Sequence, residues 1–418
     1  MDDPTNSLSI IDRPKAELLT LGTELVKGSV LNTNAAYLGG ELTQLGFEVK
    51  NQSACADEER LIKEALRVAL GRAKVIFVSG GLGPTPDDVT REAIAEFFHV
   101  PLKFSASQYR LIQGYYKKRK KKIPVLVKRE AHFPANAQPI LNQFGIALGF
   151  MIETRGKILI AAPGVPGELV RLFEKRIKPV LQKRFKGLRP AGKLLVKTIG
   201  VSEPVIMERL GKNFFKMGDF QFGIYPGAGE VGLRIYSDSS QVLKRLKIHI
   251  SKVLGKNIYS FFDEEIEEVV GRRLKSENKT IACAESCTGG RVSELITRVP
   301  GASRYFFGSV VSYQNQAKTE VLGIPGELIR KKGAVSKEVA LAMAGKAREK
   351  FKTTFGLAVT GLAGPGKSKD PIGLVYLAIC TSSLDRVWKE RFWGDREQIQ
   401  LKASKKLLEY LWRWLTKN

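Results

Sequence analysis

KVIFVSGGLGPTPDDVT spans residues 74–90, and its reading decides the fold. Val75 to Val78 are apolar without alternation, the pattern of a strand covered on both faces. The run stops at Gly80-Gly81, passes through Pro84 and Pro86, and reaches two adjacent carboxylates, Asp87 and Asp88. A doubly covered strand requires helices on either side of its sheet, and the flanking sequence supplies them.

Upstream, AELLTLG (16–22) and FEVKNQS (47–53) read as strands, while NTNAAYLGGELTQL (32–45) and DEERLIKEALRVAL (57–70) read as helices, the first capped by Asn32. Downstream, KILIAAPG (157–164) returns as a strand and a helix begins near Pro166. Residues 1–172 are therefore expected to form an α/β domain on a parallel sheet. After the break GLRPAGK (187–193) the pattern changes to a helix and the strand pair FQFGIYPGAGEVGLRIYS (220–237), a small α+β middle domain over 173–262. Strand–loop–helix alternation resumes beyond DEEIEE (263–268), with TIACAES, FFGSVVSY, FGLAVTG and GLVYLAIC as strands. Residues 263–418 are expected to be a second parallel-sheet α/β domain, with a helix from Thr288 and a closing helix from Asp395. No internal repeat is visible.

The bulk properties agree with several soluble domains. A chain of 418 residues exceeds one ordinary core, and 43% hydrophobic with 26% charged residues is ordinary globular composition. No run approaches 18 apolar residues, so no membrane contact is expected. The start, MDDPTNSLSIIDRPK, is acidic where a leader would be basic. Cys55, Cys283, Cys287 and Cys380 form no CxxC pair, which points away from disulfides and zinc. A cytoplasmic location is expected.

The formal charge is +26, and its densest source lies between Lys103 and Arg129, where ten basic residues occur without an acid. YYKKRKKK (115–122) is equally a solvated loop and a patch that attracts anions, its tyrosines able to stack on bases. No recognised nucleic-acid motif accompanies it, so nucleic acid is not an expected partner.

Two stretches carry candidate chemistry. In the loop after Val78, Gly80, Gly81 and Gly83 let the backbone approach phosphate, beside Thr85, and the Asp87–Asp88 pair can position a divalent ion such as Mg against a pyrophosphate. A tight turn with Asp88 as helix cap fits the same letters. In AESCTGG (284–290), Ser286 follows a strand where a helix opens, with N–H groups near Thr288 and Gly289 able to hold an oxyanion and Gly290 allowing close approach. A capping Ser–Thr pair also fits. The three histidines, His99, His132 and His249, all precede this domain, so a hydrolase here needs a different base. A desolvated Lys is the known substitute. SYQNQAK places Tyr313 at a strand end and Lys318 one turn into the next helix, a position open to a solvated lysine too. Cys287 is a rival nucleophile if the helix lowers its pKa.

AESCTGG, PGAS (300–303), SYQNQAK, GAVS (333–336), VTGLAGP and WGDREQI together resemble the C-terminal domain of the CinA family, which includes nicotinamide-nucleotide amidases. That resemblance implies Ser286 as nucleophile, Lys318 as base and Tyr313 as its assistant. It further implies Asn315, Thr360 and Gly361 as substrate contacts, Arg396 on the substrate phosphate, and no metal or other cofactor at this site. Two departures stand out, a short loop at 366–371 and Gln400 where the family tends to have Arg.

Gly22-Thr23-Glu24, Asn32-Thr33-Asn34, Asp57, GGLGPTPDD and PGVPGE (163–168) resemble the CinA N-terminal domain, similar in fold to molybdopterin-binding domains. The family's catalytic members cleave ADP-ribose with a divalent metal. By that resemblance Thr23, Glu24, Asn32, Asn34, Gly80, Gly81, Gly83, Thr85 and Gly164 bind substrate, and Asp87 and Asp88 bind the metal. GIALGF (145–150) and VKRE (127–130) depart from the family's usual letters. The chain is thus expected to recycle breakdown products of NAD, hydrolysing nicotinamide mononucleotide and ADP-ribose, as a homodimer. Two rivals are a pterin-nucleotide binding module without hydrolysis and a DNA-associated competence factor.

Overall fold

The computed structural model describes residues 13–365 and 370–417. The acidic start through residue 12 and most of the short loop, 366–369, lie outside them. The chain divides into two compact units, 1–191 and 192–418.

The first unit is built on β1 (Lys15–Leu21), β2 (Glu48–Cys55), β3 (Val75–Ser79), β4 (Leu102–Phe104), β5 (His132–Pro134), β6 (Gln138–Ile140), β7 (Gly149–Thr154) and β8 (Lys157–Ala162). Six of these form one sheet in the order β2-β1-β3-β8-β7-β6. The first four run parallel, as the apolar runs predict. The expected α/β domain on a parallel sheet is present, and β7 and β6 extend that sheet with antiparallel strands. β7 and β8 are joined through Arg155 and Gly156, both at positive φ, the two-residue turn that suits a right-twisted hairpin. All five residues of β3 are buried, and helices cover the sheet on both sides. Asn32 caps the helix Thr33–Gln44, its side chain accepting from Ala35 N–H at 3.0 Å. The helix at Pro166 continues through a wide turn at Phe173–Ile177 to Arg184. Phe173, Ile177 and Leu181 are buried in this unit's core, so the unit extends past 172.

The second unit contains both remaining regions. β9 (Gly192–Ile199), β10 (Gln221–Pro226), β11 (Glu230–Ser237) and β12 (Ile258–Ser260) form an antiparallel sheet in the order β10-β11-β9-β12. The amphipathic helix Ser240–Leu254 packs its Val242, Leu246, Ile250 and Leu254 stripe into that sheet's core.

The last five strands are β13 (Ile281–Glu285), β14 (Phe306–Val311), β15 (Phe355–Gly361), β16 (Leu374–Cys380) and β17 (Asp385–Arg391), ordered β14-β13-β15-β16-β17. β14, β13 and β15 are parallel, whereas β16 and β17 are antiparallel. This sheet too is mixed where a parallel one was expected. β13 lies between β14 and β15 and is wholly buried, which sets its carboxyl end, Glu285-Ser286, between the ends of those two strands. The helix expected from Thr288 begins instead at Arg291. No helix among the described residues is long and apolar enough to cross a membrane.

Candidate functional site

Ser286 leaves β13 with its N–H donated to the carbonyl of Val359 at 2.9 Å, while Ser312 N–H is donated to the Glu285 carbonyl at 2.8 Å. The loop is therefore tied to both neighbouring strands. Glu285 shapes the rest. Its fully buried carboxylate accepts from Thr288 Oγ1 at 2.7 Å, Gly290 N at 3.0 Å, Val292 N at 3.1 Å, Ser293 N at 2.9 Å and Ser293 Oγ at 2.6 Å. A carboxylate collecting the N–H groups of a helix start explains why the helix is delayed to Arg291. Sequence reading passed over this residue, although the acid directly before the serine was the available signal.

Lys318 sits on the short helix Asn315–Glu320 and is 1% exposed. Its Nζ lies 2.9 Å from Ser286 Oγ, 2.6 Å from the Ser312 carbonyl and 3.4 Å from the Tyr313 carbonyl. Burial lowers this lysine to about 8. A neutral amine has two N–H donors and one lone pair. The two carbonyls can take the donors, which leaves the lone pair for the serine hydroxyl. Lys318 is thus not the solvated lysine that its residue type suggested.

Cys287 is buried beside them, and desolvation pushes its thiol up to about 12. The lowered pKa considered for it is the opposite of what its surroundings impose. The N–H groups expected to be free are not all free. Gly289 N–H is already donated to Ser286 and Gly290 N–H to Glu285, whereas no acceptor for Thr288 N–H is found among the described residues and Cys287 N–H meets only its own thiol. Gly289 and Gly290 stand at φ 61° and 102°, which explains the glycines.

The other expected contacts are arranged less directly. Tyr313 reaches Lys318 through its backbone, and its exposed phenol accepts from Arg396 Nη1 at 3.3 Å. Arg396 opens the helix Arg396–Lys417, and Asn315 is exposed at the start of its own helix. Thr360 is buried, its hydroxyl donated to the Ala334 carbonyl at 2.8 Å, so it holds the GAVS loop. At Gly361 a Cβ would stand 2.6 Å from the Leu374 carbonyl, a demand of sheet pairing. Gln400 donates from Nε2 to the Cys287 carbonyl at 2.8 Å and so pins the serine loop from the far helix.

A second site lies in the first unit. The loops after β1, β3 and β8 enclose a cavity of about 540 Å³. Glu24, Asn32, Asn34, Gly80, Gly81, Gly83, Asp87, Asp88 and Gly164 all line it. Thr23 and Thr85 are bound to lining carboxylates, Thr23 N–H to Asp57 at 2.8 Å and Thr85 N–H to Asp88 at 2.9 Å. Asn34 donates to Ser79 Oγ at 3.1 Å and the Gly164 carbonyl at 2.7 Å, and Asn32 to Thr20 Oγ1 at 2.7 Å, so both knit the loops together. A Cβ at Gly80 would come 2.1 Å from the Leu21 carbonyl, which makes this glycine a requirement of loop packing. Glu168, the last letter of PGVPGE, and Glu130, not singled out in the sequence, complete the wall.

Hard carboxylate oxygens in this cavity suit Mg, which uses one or two carboxylates with waters and phosphate oxygens. Asp87 is exposed, while Asp88 accepts from Thr85. Among the described residues, the three carboxylates that converge, Glu230, Glu265 and Glu267, lie in the second unit around the Lys405 ammonium at 3.3, 3.0 and 2.7 Å.

A family model described as the CinA C-terminal domain matches residues 263–415. A second, described as a probable molybdopterin binding domain, matches 17–183. A relative from Caldicellulosiruptor saccharolyticus, named as a competence-damage inducible protein, is 37% identical over 404 residues, 95% of this chain and 98% of its own length.

The chain belongs to the CinA family.

A CinA-like protein of Kosmotoga olearia is 35% identical and covers 96% of this chain and 99% of its own. Among solved structures, the CinA protein of Thermoplasma acidophilum is 34% identical, covering 40% of this chain and 98% of its own, with a TM-score of 0.37. The two family-model matches fall on the two stretches that carry the candidate sites, one in each compact unit.

Proposed function

We propose that the C-terminal part of the chain hydrolyses the carboxamide of nicotinamide mononucleotide to nicotinate mononucleotide and ammonia. The observation that carries this reading is the buried Lys318 amine 2.9 Å from Ser286 Oγ. Ser286 Oγ attacks the amide carbon and its proton passes to Lys318 Nζ. The carbonyl oxygen becomes an oxyanion facing the N–H groups of Cys287 and Thr288. Collapse breaks the C–N bond as Lys318 returns the proton to the leaving ammonia. Water then attacks the acyl ester, with Lys318 again taking a proton and handing it to Ser286 Oγ. Arg396, paired with Tyr313, is the cation suited to the substrate phosphate. Incubating the protein with nicotinamide mononucleotide and measuring ammonia tests the reading. No ammonia above a Ser286→Ala control would reject it.

The first unit's cavity favours a second activity, metal-dependent cleavage of ADP-ribose to AMP and ribose 5-phosphate. Asp87 and Asp88 would hold a divalent ion, which supplies charge neutralisation at the pyrophosphate when bound. The glycine-lined loops would admit the phosphates. Product analysis with ADP-ribose, with and without Mg, tests this independently.

A further inference from the structure

Among the N–H groups of the serine loop, one is left over. Ser286 N–H is donated to Val359, Gly289 N–H to Ser286 and Gly290 N–H to Glu285, while Cys287 N–H meets its own thiol. Thr288 N–H finds no acceptor among the described residues, although Thr288 is only 3% exposed. A buried backbone donor without an acceptor is rare in folded proteins and costs stability, so the direction in which it points matters.

The peptide that carries this donor is held from its other side. The bond of 3.1 Å from Gly289 N–H to the Ser286 carbonyl closes a four-residue turn with Cys287 and Thr288 as its central pair. The two common forms of such a turn differ by a flip of the central peptide. A trans peptide is planar, its C=O and N–H pointing opposite ways, and no peptide bond among the described residues is cis. A group that fixes the Cys287 carbonyl therefore fixes the Thr288 N–H. That group is Gln400, whose Nε2 donates to the carbonyl at 2.8 Å. Gln400 belongs to the helix Arg396–Lys417, anchored by Ile399 and Ala403 in the core. Arg396 lies four residues before it, on the same helical face. One helix start thus holds Tyr313 through Arg396 and the serine loop through Gln400.

We propose that Gln400 is a positioning residue of the amidase site: by holding the Cys287 carbonyl it aims the buried Thr288 N–H at the oxyanion that forms when Ser286 attacks. The inference rests on the amidase reading and deepens it. Gln400 touches neither substrate nor reacting atoms, and its contribution appears when charge develops on the carbonyl oxygen.

The test is steady-state ammonia release from nicotinamide mononucleotide by the full chain, alongside hydrolysis of p-nitrophenyl acetate, an activated ester that reports on Ser286 without the nucleotide. Wild type is compared with Gln400→Leu, Gln400→Glu and Gln400→Arg, with Ser286→Ala as the blank and a melting curve for each. Gln400→Leu should lower kcat about thirtyfold with KM within about twofold, since the lost interaction is made with the transition state. Gln400→Glu keeps the size and loses the donor, so it should fall at least as far, and it carries the test if Gln400→Leu melts early. Gln400→Arg restores donors and should recover to within about threefold of wild type. Ester hydrolysis should fall in parallel, while the pH midpoint of about 8 set by Lys318 stays in place. Wild-type kcat in Gln400→Leu, a loss confined to KM, equal losses in Gln400→Arg and Gln400→Leu, or a shifted pH midpoint would overturn the proposal. Ester cleavage through Ser286 that slows in Gln400→Leu, with no ammonia from nicotinamide mononucleotide, would reject the amidase reading and leave Gln400's role standing. A chain inert toward both substrates would overturn both.

Discussion

Lys318 Nζ lies 2.9 Å from Ser286 Oγ across 32 residues of sequence, held there by the carbonyls of Ser312 and Tyr313. Replacing either partner removes the unit. We expect Ser286→Ala and Lys318→Ala each to abolish ammonia release from nicotinamide mononucleotide, and the double variant to be little worse than either. Additive losses would show that the two residues act separately.

Cys287 gives the contrasting result. Its thiol is buried and held near 12, so it is no thiolate at working pH. Its carbonyl, which Gln400 contacts, survives any side-chain change. Cys287→Ala should keep at least about a third of wild-type activity, since it removes neither nucleophile nor base. A dead Cys287→Ala beside an active Ser286→Ala would overturn the mechanism.

The pH profile follows from Lys318. Its lowered value of about 8 means that the amine is protonated and silent below that point and free above it. The rate should therefore rise about tenfold per pH unit on the acid side and level off above about 8. Lys318→Arg, whose guanidinium stays protonated, should be inactive at every pH. A profile that falls from pH 7 to 9 would contradict the assignment.

Glu285 should matter as much for folding as for rate. In Glu285→Gln an amide NH2 must replace one oxygen among donors that need acceptors. We expect a loss of about 2–3 kcal/mol in stability, read from denaturant unfolding, with a marked drop in turnover. Unchanged stability would mean that the loop holds its shape without this carboxylate.

Metal dependence should separate the two sites. A chelator should stop ADP-ribose cleavage and leave ammonia release intact. Asp87→Ala and Asp88→Ala should each be paired with a melting curve, because both carboxylates engage Thr85 and loss of either can loosen the loop. Loss of both activities on chelation would contradict the assignment of the metal to the first unit alone.

Much of this architecture was legible because buried strands are written as apolar runs. β3 and β13 could be read directly, and their carboxyl ends then located both sites. The antiparallel edges were harder. β17 is largely exposed and reads DRVWKER, a charged sequence whose partner, β16, fixes it as a strand. β7 is a short run, GFMIET, and the Arg155-Gly156 turn that folds it back onto β8 shows the reversal only once the pairing is known. Among site residues, Ser286 and Lys318 were visible as motif letters. Glu285 and Thr360 were less so, since their partners are largely backbone groups, which leave no side-chain pattern. Gln400 was visible as a letter but not as a clamp.

The helix Arg396–Lys417 extends about 33 Å at 1.5 Å per residue. Its first turns touch Tyr313 and the serine loop, Lys405 meets Glu230 from β11, and Arg413 reaches the Ile199 carbonyl of β9. The residues of the proposed amidase lie after 263, but the seating of the helix that frames them depends on earlier ones. Cutting the chain at 263 would take away Glu230 and Lys197, leaving Lys405 with two carboxylates and Glu265 without its second cation. A fragment that keeps every reacting atom would still lose the keystone that sets one end of its roof.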